Sequence, residues 1–211
     1  MMRFIEAIGV IRGLYGVTPE MEDTARLLGL VRAALRGGMG VLQYRVKRLP
    51  AQIRHEQLEA LSGLCQAYGI PLLINDAPRP SEQHLADGWH LGRDDGLPQE
   101  WPQMASRGIL GLSCYADSER AVAAAAAGAH YVALGSFFPS RTKPEAPAVS
   151  WNTLRETRAK VDIPIVAIGG ITPERASLLR AAGVDAVAVL SDLFTAPDVE
   201  EQAAAYCRVF A

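Results

Sequence analysis

Asp76 ends an apolar run, LLIND (72–76), and Asp94 and Asp95 follow the next such run in GWHLGRDD. An unpaired carboxylate is costly to place beside a core. If the two runs are neighbouring strands, Asp76 and one of Asp94 or Asp95 can share a Mg²⁺ that keeps several waters and completes its shell with substrate phosphate. In QYRVK the spacing alternates, so Gln43, Arg45 and Lys47 project to one side and bring two cations and an amide to bear on an anion. IGGI followed by TPERAS sets Gly169 and Gly170 before a helix N-terminus, and VLSD does likewise at Ser191. Backbone amides in such turns hold phosphate. Each motif alone also has a plain structural explanation: a solvated strand end, a helix N-cap for the aspartate pair, a glycine turn. Taken together they point to phosphorylated substrates and a divalent cation held by oxygen.

These groups need a scaffold that gathers strand ends. Short apolar segments recur at GLYGVTP (13–19), GVLQYR (40–45), PLLIND (71–76), GWHLG (88–92), ILGLSC (109–114), YVALGS (131–136), PIVAIGG (164–170) and AVAVLS (186–191). Most are too continuously apolar for a strand with one wet face, which suits a parallel sheet covered on both sides. Helical patterning lies between them, clear at 20–36, 52–68, 118–127, 173–182 and 198–210, weak at 80–86, 98–106 and 151–160. Glycines after several helices, in RGGMG, AYG, AAGAH and AAGVD, supply left-handed caps. The alternation predicts a single (β/α)8 TIM barrel over 1–211, with a lead-in at about 1–12. An open doubly wound sheet is the alternative, disfavoured because no GxGxxG follows the first strand.

In such a barrel chemistry collects at the C-terminal ends of the strands. Those ends carry Gln43, Arg45 and Lys47; Asn75 and Asp76; Asp94 and Asp95; Ser113; Ser140, Thr142 and Lys143; Gly169 and Gly170; and Ser191. The longest irregular stretch, FFPSRTKPEAPAVS (137–150), is a candidate lid. His90 and the tryptophans Trp89, Trp101 and Trp151 are expected to be structural, the tryptophans packing between helices and barrel.

The 211 residues are 49% hydrophobic and 21% charged with a net charge of −2, a balance that predicts a globular chain and gives no basic footprint for nucleic acid. No apolar run approaches a membrane span, and the N-terminus lacks the features of a secretion signal, so the expected location is cytoplasmic. Cys65, Cys114 and Cys207, three in number and widely spaced, are expected to be reduced thiols.

LYGVTP, QYRVK, LLIND, ADGWHLGRDD, GLSC, ALGSFFPSRTK, PIVAIGGI and VLSD, in this order, resemble thiamine phosphate synthases over nearly the whole chain. The resemblance implies joining of hydroxymethylpyrimidine diphosphate to hydroxyethylthiazole phosphate, with Mg²⁺ and release of pyrophosphate. It implies Asp76 and Asp95 as metal ligands. Gln43, Arg45, Lys47, Asn75, Ser113 and Lys143 would contact the pyrimidine diphosphate, with Arg45, Lys47 and Lys143 stabilising the departing charge. Ser140, Thr142, Gly169, Gly170, Leu190 and Ser191 would hold the thiazole phosphate. The implied partners are these small molecules, with room for a homo-oligomer.

The chain departs from the family pattern at Tyr115, commonly histidine; Arg93, frequently glutamine; Ser140, usually threonine; and near 148–150, where a glycine is missing. Two alternatives share the barrel: a thiazole tautomerase, which takes its proton-transfer histidine from a GxSxH segment, and a non-catalytic binder of thiamine precursors.

Overall fold

A strand with apolar side chains on both faces needs an inner core and an outer cover, and closing the sheet supplies both. The computed structural model describes residues 11–77, 79–95, 98–139 and 148–211. Its strands are β1 (Gly13–Val17), β2 (Val41–Tyr44), β3 (Leu72–Asn75), β4 (Gly88–Leu91), β5 (Ile109–Tyr115), β6 (Tyr131–Gly135), β7 (Ile165–Ile168) and β8 (Ala186–Val189), paired in parallel and in sequence order. β8 pairs back onto β1, Gly13 opposite Ala186, and closes the barrel. All eight expected strands are present within a few residues of their expected bounds.

The helices are α1 (Thr24–Arg36), α2 (Ala51–Tyr68), α3 (Trp101–Ala105), α4 (Ser118–Ala126), α5 (Trp151–Lys160), α6 (Pro173–Ala181), α7 (Ser191–Phe194) and α8 (Val199–Phe210). Asp23, Asp117, Ser150 and Asp198 cap α1, α4, α5 and α8 by accepting a backbone N–H of the first turn. The crossover after β3 is a 3₁₀ turn, Pro80–Leu85, and α3 is five residues long behind another, Pro98–Glu100. Proline starts both 3₁₀ turns and recurs at Pro102, where a missing N–H is tolerated only in a first turn. α5 runs a full ten residues although its pattern is weak, because it buries little beyond Leu154 and Thr157. The four-residue α7 has no counterpart among the expected helices.

Alternation along each strand splits the core in two. Tyr15, Val17, Val41, Leu73, Ile109, Tyr131, Ala133, Val166, Ala186 and Ala188 fill the barrel, while Leu14, Leu42, Leu72, Leu91, Leu110, Val132 and Val187 face the helices. Trp89 and Trp101 belong to the outer layer as expected. Trp151 does not: 40% of it is exposed, with its ring against Phe137, because it opens α5 at the rim. Cys65 and Cys114 are buried free thiols, and Cys207 is half-buried and free. Burial pushes the Cys65 and Cys114 thiols up to about 12.

Candidate functional site

Register decides what meets inside the barrel. His90 lies opposite Gly111, and Gly111 lies opposite Tyr131. A Cβ on Gly111 would come within 2.0 Å of the Tyr131 ring, so the glycine lets that ring cross β5 and stack on His90, centroids 5.6 Å apart. Tyr15 meets Tyr131 edge-on from β1 at 5.9 Å. Tyr15 and His90 form the floor of a cavity of about 630 Å³ at the C-terminal mouth of the barrel, with Tyr131 buried beneath them.

Gln43, Arg45, Asn75, Ser113, Gly169, Gly170, Leu190 and Ser191 all line this cavity. β2 ends at Tyr44, and the alternation of QYRVK carries Gln43 and Arg45 into the same space. Lys47 lies past the strand end and forms an ion pair with Asp76. The Asp76 carboxylate also accepts from Asn75 Nδ2 at 2.6 Å, and the Asp76 backbone N–H donates to the His90 carbonyl at 2.8 Å. Asp76 has φ +67°, in the left-handed region. A non-glycine residue persists there only when its surroundings hold it, commonly at a functional site.

Of the neighbouring aspartates, Asp95 turns inward, accepting from the Gly92 N–H at 2.8 Å, while Asp94 is exposed. Burial raises the Asp95 carboxyl above its ordinary value and the Asp76 carboxyl beside it raises it further, against the Gly92 amide and Lys47, which lower it. Among the described residues no group of three or more His, Cys, Asp or Glu side chains could hold a metal. Two adjacent carboxylates, one of them raised by the other, nevertheless suit a cation that keeps its own waters and takes remaining ligands from a substrate.

Across the cavity, Gly169 and Gly170 have φ +105° and +58°. A Cβ on Gly169 would meet Ser136 Oγ at 1.9 Å, and one on Gly170 the Pro139 carbonyl at 2.4 Å, so no side chain fits in this turn. Thr172 caps α6 immediately after it. Arg175 closes the same corner, donating to the Gly170 carbonyl at 2.5 Å with its guanidinium 4.7 Å from the Phe138 ring centre.

The loop between β6 and α5 is pinned at its described ends: Phe137 N–H donates to Ile168 and Phe138 N–H to Gly169, each at 3.1 Å, and Val149 N–H to Ser136 at 2.8 Å. Where the family glycine is missing, Val149 is buried and Ser150 caps α5. Ser140, Thr142 and Lys143 lie outside the described residues. The two departures at the other rim are partners: the Arg93 N–H donates to Tyr115 Oη at 3.1 Å, and the Arg93 guanidinium sits 4.7 Å from the Tyr115 ring centre.

Tyr15, not singled out in the sequence, lines the cavity beside Val17, and His90, expected to be structural though able to face the barrel interior, lines it too. Thr172, Arg175 and Asp192 also face it. Period-two spacing from Val17 offered a signal for Tyr15, and alternation with apolar neighbours in GWHLG offered one for His90; nothing comparable marked Arg175.

The thiamine monophosphate synthase family model matches residues 14–193. A thiamine-phosphate synthase from Bordetella pertussis is 48% identical over 205 residues, covering 94% of each chain. One from Aromatoleum aromaticum is 44% identical over 201 residues, covering 95% of this chain and 97% of its own. The solved thiamine phosphate pyrophosphorylase of Pyrococcus furiosus superposes with a TM-score of 0.83 at 31% identity, over 95% of this chain and 96% of that one. A 3-hexulose-6-phosphate synthase superposes with a TM-score of 0.71 at 14% identity, over 93% of this chain and 99% of that one, a likeness of fold alone.

Proposed function

The chain belongs to the thiamine monophosphate synthase family, and from that premise we propose that it is a thiamine-phosphate synthase, a transferase joining hydroxymethylpyrimidine diphosphate to hydroxyethylthiazole phosphate with release of pyrophosphate. The observation that carries this reading is one cavity with an amide and a guanidinium, Gln43 and Arg45, on one wall and the side-chain-free Gly169–Gly170 turn on another. Two phosphorylated substrates can then lie with their reacting ends together.

In this reading Gln43, Arg45, Lys47, Asn75 and Ser113 hold the pyrimidine diphosphate, joined by Lys143. Gly169, Gly170, Leu190 and Ser191 hold the thiazole phosphate with Ser140 and Thr142. The bond from the pyrimidine methylene carbon to the diphosphate oxygen breaks, and its electron pair leaves with the diphosphate. The aminopyrimidine ring stabilises the resulting cation, and the thiazole nitrogen lone pair captures it. No protein nucleophile takes part. Arg45, Lys47 and Lys143 counter the charge that grows on the leaving group. Val17, Val166 and Ala188, buried in the wall of the cavity, disfavour the water that would trap the cation. Asp76 and Asp95 are the residues that would hold Mg²⁺, which when bound neutralises further charge on the diphosphate.

The tautomerase alternative calls for a histidine where Tyr115 stands tied to Arg93. Pyrophosphate release in the presence of both substrates, titrated against Mg²⁺, tests the proposal. Turnover should vanish with EDTA, return with excess Mg²⁺, and stay absent in Asp76→Ala at any Mg²⁺ concentration. Turnover indifferent to EDTA would contradict the metal assignment.

A further inference from the structure

A continuous hydrogen-bonded chain crosses the barrel floor between two of the residues assigned to the pyrimidine substrate. Gln43 Nε2 donates to Tyr15 Oη at 2.7 Å, Tyr15 Oη meets Tyr131 Oη at 2.8 Å, Tyr131 Oη meets His90 Nδ1 at 2.8 Å, and His90 Nε2 meets Ser113 Oγ at 2.8 Å. Gln43, Tyr15, His90 and Ser113 touch the cavity. Tyr131 is fully buried and does not line it.

Counting protons gives the chain a direction. Gln43 Nε2 occupies a lone pair of Tyr15, and either oxygen of the Tyr15–Tyr131 pair can be the donor; the relay takes the polarity in which Tyr15 donates onward to Tyr131. Tyr131 must then donate to His90 Nδ1. That leaves the imidazole proton on Nε2, where it is given to Ser113 Oγ. The Ser113 hydroxyl has its lone pair engaged from behind and its hydrogen free toward the cavity. Turning the Gln43 amide over would reverse every bond and make Ser113 an acceptor, so the polarity is set at the far end of the chain.

We propose that Tyr131 is a positioning residue which, through Tyr15 and His90, couples Gln43 to Ser113 and fixes the Ser113 hydroxyl as a hydrogen-bond donor to the pyrimidine substrate. This rests on the assignment of Gln43 and Ser113 to that substrate. The geometry supports a rigid relay: the His90 ring is clamped against Tyr131, Tyr131 against Tyr15, and the links from Gln43 to His90 are buried, where a satisfied network holds one arrangement. His90 is buried with each ring nitrogen 2.8 Å from one hydroxyl, so a neutral ring there has a tautomer to be chosen.

¹⁵N NMR of the histidine rings, combined with kinetics of Tyr131→Phe, tests the relay. Wild-type His90 should be a single Nε2–H tautomer at neutral pH; an Nδ1–H tautomer or an imidazolium overturns the assigned polarity. Tyr131→Phe keeps the ring and removes the hydroxyl. It should give a mixture of tautomers and raise the KM for the pyrimidine diphosphate about tenfold, leaving the KM for the thiazole phosphate within about twofold of wild type. Tyr15→Phe cuts the chain on the other side and should give the same selective loss if Tyr131→Phe folds poorly. A fall in kcat with both KM values unchanged, or equal changes in both, would mean that the tyrosines only pack and would overturn the relay. Failure of the wild-type protein to form thiamine phosphate would instead overturn the functional reading on which the relay rests, a result separable from a fully active wild type whose variants match it.

Discussion

Replacing Lys47 by methionine separates what this side chain does for the fold from what it does for the reaction. The Lys47–Asp76 pair sits at the rim, with 46% and 30% of the two side chains exposed. An ion pair so open to solvent contributes less than about 1 kcal/mol. For a chain of this size that amounts to a shift of about 2–4 °C or less in the melting temperature. In the proposed reaction the same cation faces a diphosphate whose charge grows as the bond breaks, where it would be worth about 2–4 kcal/mol in the transition state. Its loss should lower kcat/KM for the pyrimidine diphosphate by roughly 30- to 1000-fold. Steady-state pyrophosphate release at saturating thiazole phosphate, alongside thermal melting, measures both quantities on one preparation. Near-wild-type turnover in Lys47→Met would refute the role given to this lysine. A melting temperature lower by about 10 °C or more would refute the estimate that the rim pair stabilises little.

Gly170→Ala should raise the KM for thiazole phosphate tenfold or more by order of magnitude, since its Cβ would meet the Pro139 carbonyl at 2.4 Å and distort the turn; kinetics with each substrate varied in turn checks the selectivity. Gly111→Ala drives a methyl into the Tyr131 ring at 2.0 Å and should cost about 1–3 kcal/mol of stability, read by denaturant unfolding. Arg54 and Glu82 form a two-bond pair at 2.7 and 2.9 Å, with side chains 14% and 3% exposed. Burial alone would raise the Glu82 carboxyl, but the bonds from Arg54 and from the Arg79 N–H outweigh it and hold it below its ordinary value of 4.5. A carboxyl lowered on folding stabilises fully above its unfolded value and loses that contribution as pH falls through the folded one. Acid unfolding should therefore be shallower in Glu82→Gln than in wild type below about pH 4.5, and Arg54→Met should cost about 2 kcal/mol or more at neutral pH by leaving a buried carboxylate alone.

Strands were the most legible feature, because a run such as LLIN or VAL between polar ends has few homes other than a sheet covered on both sides. The polar strand ends could be read for the same reason, and the structure gathers Gln43, Arg45, Asn75 and Ser113 at one mouth. The choice between Asp94 and Asp95 could not be made from spacing alone; it depends on a turn that lets Asp95 bond the Gly92 amide. The floor was hidden for a deeper reason. Tyr15 and Tyr131 lie 116 positions apart and look like packing residues one at a time. Their meeting depends on a register that places Gly111 between Tyr131 and His90. The partnership of Arg93 and Tyr115 was equally invisible as two separate departures, and becomes one arrangement when their strand ends lie side by side.

The central claim, that the cavity unites two phosphorylated substrates, is tested most directly by product stoichiometry in a single turnover. Purified protein with Mg²⁺ should form pyrophosphate and thiamine phosphate in equal amounts when both substrates are present, and no thiamine phosphate with either alone. Saturable binding of both substrates without release of pyrophosphate would contradict the claim and identify the barrel as a binder of thiamine precursors.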